Sequence, residues 1–228
     1  EYQCRIDANS FASCAASQSF TALSQGSHTF EVRAVDNGGN SPDIISHTWI
    51  IDLTAPTIQI TKSPDPYTKE TTADFEFVAN DANGVGGLVC KVDGGAYTLC
   101  TSPESIAALD EGSHTFSVRA VDNAGNLSVP ATHTWVVDTT APTITFVLQP
   151  DPNSYIGNTA QINFSTDDGT GSGVGTTVCL LSGVSTPCES DKTIDVGINS
   201  IGDFNFQVTV TDNLGNSKTE QITWQAIY

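Results

Sequence analysis

Two kinds of residue in this 228-residue chain have the types and spacing to do chemistry, its aspartates and its cysteines. Aspartate opens an Asp-Asn-x-Gly-Asn segment three times, at Asp36, Asp122 and Asp212. Asp and Asn build tight turns because their short side chains bond nearby backbone and accept left-handed angles. Clustered carboxylate and amide oxygens also suit calcium, which takes about six to eight oxygen ligands. No Asp-x-Asp-x-Asp loop closed by a glutamate stands at EF-hand spacing. A calcium site here would have to be assembled from separate loops.

The cysteines fall into three close pairs, Cys4/Cys14, Cys90/Cys100 and Cys179/Cys188. The first two spacings read as hairpins with loops centred on Asn9 and Gly95, residues that tolerate positive φ. The third is one residue shorter. Its centre, between Gly183 and Val184, suits a two-residue type II′ turn with glycine first. Each spacing sets the two cysteines roughly opposite one another on neighbouring strands, where a disulfide is worth roughly 3 kcal/mol on the chain-entropy model. Zinc needs about four ligands, usually at tighter Cys spacing. No pair has a third cysteine beside it, and His28, His47, His114 and His133 do not accompany the third pair. Local disulfides imply an oxidising compartment outside the cytosol.

These residues sit in a repeat. Gly26-Ser-His-Thr-Phe-Glu-Val-Arg-Ala-Val-Asp-Asn returns as Gly112-Ser-His-Thr-Phe-Ser-Val-Arg-Ala-Val-Asp-Asn, and Cys4, Cys14, Trp49 and Asp52 recur at the same interval of 86 residues. A more diverged third copy carries Cys179, Cys188, Asp212 and Trp224 at intervals of 88 to 90. The expected modules are residues 1–52, 53–138 and 139–228. Asp52-Leu-Thr-Ala-Pro-Thr57 and Asp138-Thr-Thr-Ala-Pro-Thr143 join them, short and Pro-containing and therefore semi-rigid. The first copy lacks the counterpart of Thr57 to Gly87. Either preceding residues of a longer chain supply it, or strands of a neighbouring chain complete the module by β-augmentation.

The elements that must position these groups are strands. Phe75, Phe77 and Ala79 alternate with Asp74, Glu76 and Val78, and His114, Phe116, Val118 and Ala120 with Thr115, Ser117 and Arg119. Period two with one polar face is a half-buried antiparallel strand. Seven strands, centred on Ile58, Phe77, Cys90, Tyr97, Ile106, Val118 and Trp135, make each full module a two-sheet sandwich. In such a sandwich the second-to-third and sixth-to-seventh strand loops share the end facing the preceding module. Asn80, Asp81, Asn83 and Asp122 should then gather near Asp52, and Asp167, Asp168 and Asp212 near Asp138, as candidate calcium ligands. Trp49, Trp135 and Trp224 recur once per copy and read as core residues between the sheets.

The segment Gly112-Ser-His-Thr-Phe-Ser-Val-Arg-Ala-Val-Asp-Asn-Ala-Gly-Asn126 resembles bacterial Ig-like and PKD-like extracellular repeats. So do the cysteine hairpin with Asp93-Gly-Gly, Cys100-Thr-Ser-Pro103 and Trp135-Val-Val-Asp-Thr-Thr-Ala-Pro142. The resemblance covers the whole chain. It implies an all-β, elongated array of tandem Ig-like or fibronectin-III-like sandwiches, serving as a stalk, spacer or fibre segment of a large bacterial surface or secreted protein of adhesin type. The implied partners are neighbouring Ig-like repeats of the same or another chain. The alternative is recognition of a glycan or protein receptor through third-copy loops at Asp167–Gly175 and Asp212–Gly215.

Other classes find no support. With 8 Lys plus Arg against 26 Asp plus Glu, a net charge of −18 repels nucleic acid and anionic membranes. No apolar run approaches the ~20 residues needed to span a bilayer. Gly169-Thr-Gly-Ser-Gly-Val-Gly175 fits neither phosphate-loop pattern and reads as a flexible loop. No Gly-x-Ser-x-Gly elbow is present. The acids lie in turns common to the copies rather than as a catalytic pair. No enzyme is expected, and calcium is the single candidate cofactor.

Overall fold

The computed structural model of the chain describes residues 1–41, 43–155 and 157–228, and among these every regular element is a strand. No helix of the described residues is long and apolar enough to cross a membrane. The first copy contributes β1 (Tyr2–Ile6), β2 (Ala12–Cys14), β3 (Gly26–Ala34) and β4 (Ile45–Ile51), in one sheet of order β2-β1-β3-β4.

The second copy contributes β5 (Thr57–Lys62), β6 (Tyr67–Thr68), β7 (Ala73–Asn80), β8 (Val85–Val92), β9 (Thr98–Leu99), β10 (Glu104–Ile106), β11 (Gly112–Asp122) and β12 (Ala131–Val137). They form a three-stranded sheet, β10-β7-β5, and a five-stranded one, β6-β12-β11-β8-β9. The third copy repeats this plan. Its strands are β13 (Thr143–Leu148), β14 (Asn153–Tyr155), β15 (Thr159–Asp167), β16 (Val174–Leu181), β17 (Val184–Thr186), β18 (Ile194–Gly197), β19 (Gly202–Asp212) and β20 (Ser217–Ile227). Their sheets are β13-β15-β18 and β14-β20-β19-β16-β17. These are tandem immunoglobulin-like sandwiches.

Each full copy thus has an eighth strand beyond the seven expected. β6 pairs parallel with β12, Val136 opposite Tyr67, and β14 pairs parallel with β20, Gln225 opposite Asn153. In both copies the opening strand belongs to one sheet and the next short strand to the other. Two or three residues directly after a Pro-Asp-Pro are too few to show an alternating pattern.

The chain packs as two compact units. One comprises Glu1–Gln59, Val78–Cys90 and Val118–Ala131, the other Ile60–Phe77, Lys91–Ser117 and Thr132–Tyr228. In the first unit, the apolar face of the β1–β4 sheet lines an open groove with Tyr2, Cys4, Phe20, Phe30, Val32 and Trp49. In the second unit, Phe75 lies against Phe116 at 4.1 Å between ring centroids and against Trp135 at 5.3 Å. Side chains from the two sheets of the second copy meet there, as the alternation of Phe75 and Phe116 requires. A separate core in that unit joins Ile162 and Phe164 of β15 to Phe206, Val208, Val210 and Trp224. Trp135 is 1% exposed and Trp224 4%, so both are core residues, whereas Trp49 is only half-buried and lines the open groove.

Two cysteine pairs, Cys4–Cys14 and Cys179–Cys188, are disulfides with Cα atoms 5.7 and 6.1 Å apart. Cys90 and Cys100 are disulfide-bonded too, and no described cysteine is free. The turns between them differ from expectation. Ser182 and Gly183 both have positive φ, 49° and 82°, which is a type I′ turn and not II′. In the other two hairpins the left-handed residues are Asp7 and Asp93, not Asn9 and Gly95. The reason lies on the next strand. The Asp7 carboxylate accepts from Thr29 N and His28 Nδ1, and that of Asp93 from Thr115 N and His114 Nδ1. These bonds offset the cost of a left-handed non-glycine residue.

Candidate functional site

All three Asp-Asn-x-Gly-Asn segments form the expected turn. Asp122 Oδ1 accepts from Ala124 N at 2.9 Å and Asn126 N at 2.8 Å, while Oδ2 accepts from Asn126 Nδ2 at 2.7 Å. Asp212 repeats the pattern with Leu214 and Asn216, and Asp36 with Gly38 and Asn40. Burial opposes ionisation of Asp122 and Asp212, but the bonds from Asn126 and Asn216 outweigh it and hold both carboxyls below the usual range.

The turns also reach out. Asn126 Nδ2 donates to the Asp52 carbonyl at 3.0 Å and the Thr54 carbonyl at 3.4 Å. Asn216 Nδ2 donates to the Asp138 carbonyl at 3.2 Å. The last Asn of the second and third turns therefore grips the segment joining two copies. A second brace comes from the opposite side. Gln25 Oε1 accepts from Leu53 N and its Nε2 donates to Asp52 Oδ1. Glu111, 86 residues on, accepts from Thr139 N and from the hydroxyls of Thr139 and Thr140. The Thr139 bonds hold the Glu111 carboxyl below its usual range, against the opposing effect of burial. Sequence reading missed these braces; the signal was an amide or acid at one repeat position, directly before Gly-Ser-His.

The ends of the strands bring two sets of carboxylates together. One oxygen from each of Asp52, Asp81 and Asp122 lies within 4.8 Å of the others, and Asp138, Asp168 and Asp212 are grouped by the same measure. Six of the nine candidate ligands thus converge as the loop topology required. Asp167 does not join them. Asn83 is exposed, and its N–H donates to Asp81 Oδ1. Asp167 ends β15 with its side chain exposed and its Oδ1 accepting from Gly169 N. The Thr143 hydroxyl bonds the Asp167 carbonyl as that of Thr57 bonds the Asn80 carbonyl, so Asp167 corresponds to Asn80 and Asp168 to Asp81.

Both sets are largely out of water. Asp52, Asp122, Asp138 and Asp212 are buried, Asp138 with no exposed surface, and Asp81 and Asp168 are half-buried. Burial pushes the Asp168 carboxyl up; a bond from Gly173 N opposes this, and the charges of Asp138, Asp212 and Asp167 add to it. The Gly169–Gly175 segment is not loose. Ser172 N donates to Asp138 Oδ2 and Gly173 N to Asp168 Oδ2, each at 2.6 Å. A Cβ on Gly171 would stand 2.7 Å from Asp168 Oδ2 and 2.8 Å from Asp138 Oδ2, so glycine there is a matter of space.

No family profile matches the chain. It is similar to the "Serine-rich adhesin for platelets" of Staphylococcus aureus (strain USA300), at 28% identity over 186 residues, 78% of this chain and 8% of that protein. Among solved structures it is similar to a tetra-tandem repeat in the extending region of a large adhesion protein, at 17% identity and TM-score 0.35, covering 99% of this chain and 66% of that one. It is also similar to the D00-D0 domain of intimin, at 11% identity and TM-score 0.40, covering 76% and 100%. The chain spans about 8% of the length of the first curated relatives it matches.

Proposed function

We propose that this chain is a structural spacer segment of an extracellular, adhesin-type surface or secreted protein, built from modules 1–52, 53–138 and 139–228, and that it is not an enzyme. One observation carries the reading: the chain spends its repeated polar turns on holding its own connecting segments. Asn126 bonds the backbone of Asp52 and Thr54, and Asn216 that of Asp138. A catalytic role would instead free such groups for substrate. Disulfides within single hairpins suit an oxidising, extracellular setting. The weak adhesin similarity points the same way.

Single-molecule pulling tests it. Modules 53–138 and 139–228 should each unfold in a discrete step, and reduction should lengthen each step by the residues between its cysteines. One cooperative event for the whole chain would overturn the modular reading.

A further inference from the structure

We propose that each aspartate cluster is a binding site for a divalent cation of the calcium class, ligated by Asp52, Asp81 and Asp122 in one and by Asp138, Asp168 and Asp212 in the other. Close carboxylates alone do not make a site. What points to a ligand is the state of the aspartate that opens each connecting segment. Asp138 has 0% exposure, and its Oδ1 has no hydrogen-bond partner. Asp52 is 9% exposed, and its Oδ2 likewise has none. A buried carboxylate oxygen ordinarily finds a donor or a cation, because its desolvation is otherwise uncompensated. Two copies of the repeat, 86 residues apart, each leave an oxygen of the corresponding aspartate unpartnered beside two further carboxylates.

Among the described residues, no lysine, arginine or histidine forms an ion pair with any of the six aspartates. The donors are all oxygen, with no histidine or cysteine in either set. That chemistry selects a hard divalent ion over zinc or copper. At the second cluster Ser172, whose backbone N–H bonds Asp138, also has a buried hydroxyl without a partner. Asp52 and Asp138 directly follow β4 and β12 and open the connecting segments, whereas the other ligands stand at strand ends of the following copy, Asp81 and Asp168 just past β7 and β15, Asp122 and Asp212 at the ends of β11 and β19. A bound ion would therefore fasten each connection at a point that the asparagine bonds leave open.

The test is titration of the whole, disulfide-intact chain, stripped with chelator, with calcium chloride alone. Calorimetry should show two ions per chain and a raised melting temperature. Asp81→Asn and Asp168→Asn keep side-chain size, and each should remove one ion, weakening that site at least tenfold. Asp65→Asn, at an exposed position outside both clusters, should leave both sites intact. Absence of binding would overturn the proposal. So would equal losses in all three variants, which would mark a diffuse ion atmosphere around an acidic chain.

Discussion

The two aspartate clusters use the same three strand ends, yet different loops close them. From Asp81 to Gly86 the chain takes six residues, Asp81-Ala-Asn-Gly-Val-Gly86; from Asp168 to Gly175 it takes eight, seven of them the Gly-rich run. Both loops are anchored alike. Asn123 Nδ2 donates to the Asn83 carbonyl and Asn213 Nδ2 to the Ser172 carbonyl, and a Cβ on Gly86 or Gly175 would stand 2.8 Å from the carbonyl oxygen of Asp122 or Asp212. The longer loop adds backbone N–H donors to Asp138 and Asp168, whereas Asp52 draws on Gln25 and on Thr54 N. One set of carboxylates can thus be held either by loop backbone or by a side-chain brace. The loop solution requires glycine where the backbone passes close to oxygen.

Several measurements would break or sharpen this contrast. Cation removal should have the largest effect: at a calcium concentration a hundredfold above Kd, each site contributes about 2.7 kcal/mol. Thermal melts with and without chelator should show this for both clusters. Loss confined to one would show that a brace and a loop are not equivalent.

Gly171→Ala should cost about 1–3 kcal/mol by overpacking, read by denaturant unfolding. Ala82→Gly, at the matching position of the shorter loop, should cost under about 1 kcal/mol. Equal costs would remove the steric account of Gly171. Next come Asn126→Ala and Asn216→Ala, each about 1–2 kcal/mol for lost hydrogen bonds. Asn126 should cost more, because it reaches two carbonyls of the connecting segment and Asn216 one.

The smallest effect concerns pH, where the copies differ again. Burial lowers the His114 pKa, but bonds to the Asp110 carbonyl and Asp93 outweigh it, and the pKa lies above 6.5. His28 is raised likewise, by the Ser24 carbonyl and then Asp7. A histidine raised on folding stabilises fully below its ordinary pKa, and the contribution is lost as pH rises through the folded value. In the third copy Phe204 takes the histidine's place, stacked on Trp224 at 5.4 Å, and Ser182 stands where the aspartate would. NMR titration should place His28 and His114 above 6.5, and Asp93→Asn should lower His114 while leaving His28 unchanged.

Much of this was legible beforehand. Phe75, Phe116 and Phe206 announced their strands because side chains alternate with period two, and apolar ones must face a core. Cys4–Cys14 and Cys179–Cys188 were legible because ten or nine residues of separation permit little but a hairpin. Loop order in a sandwich even placed Asp81 and Asp122 beside Asp52.

The chain's own sequence therefore determined the repeat, the faces of its strands and the local disulfides, since each depends on neighbours a few residues away. Tertiary structure decided which of Asp167 and Asp168 turns toward Asp138, because consecutive residues at a strand end face opposite ways. It also made Asp7 and Asp93 the left-handed residues, because their partners, Thr29 and Thr115, lie 22 residues further along the chain.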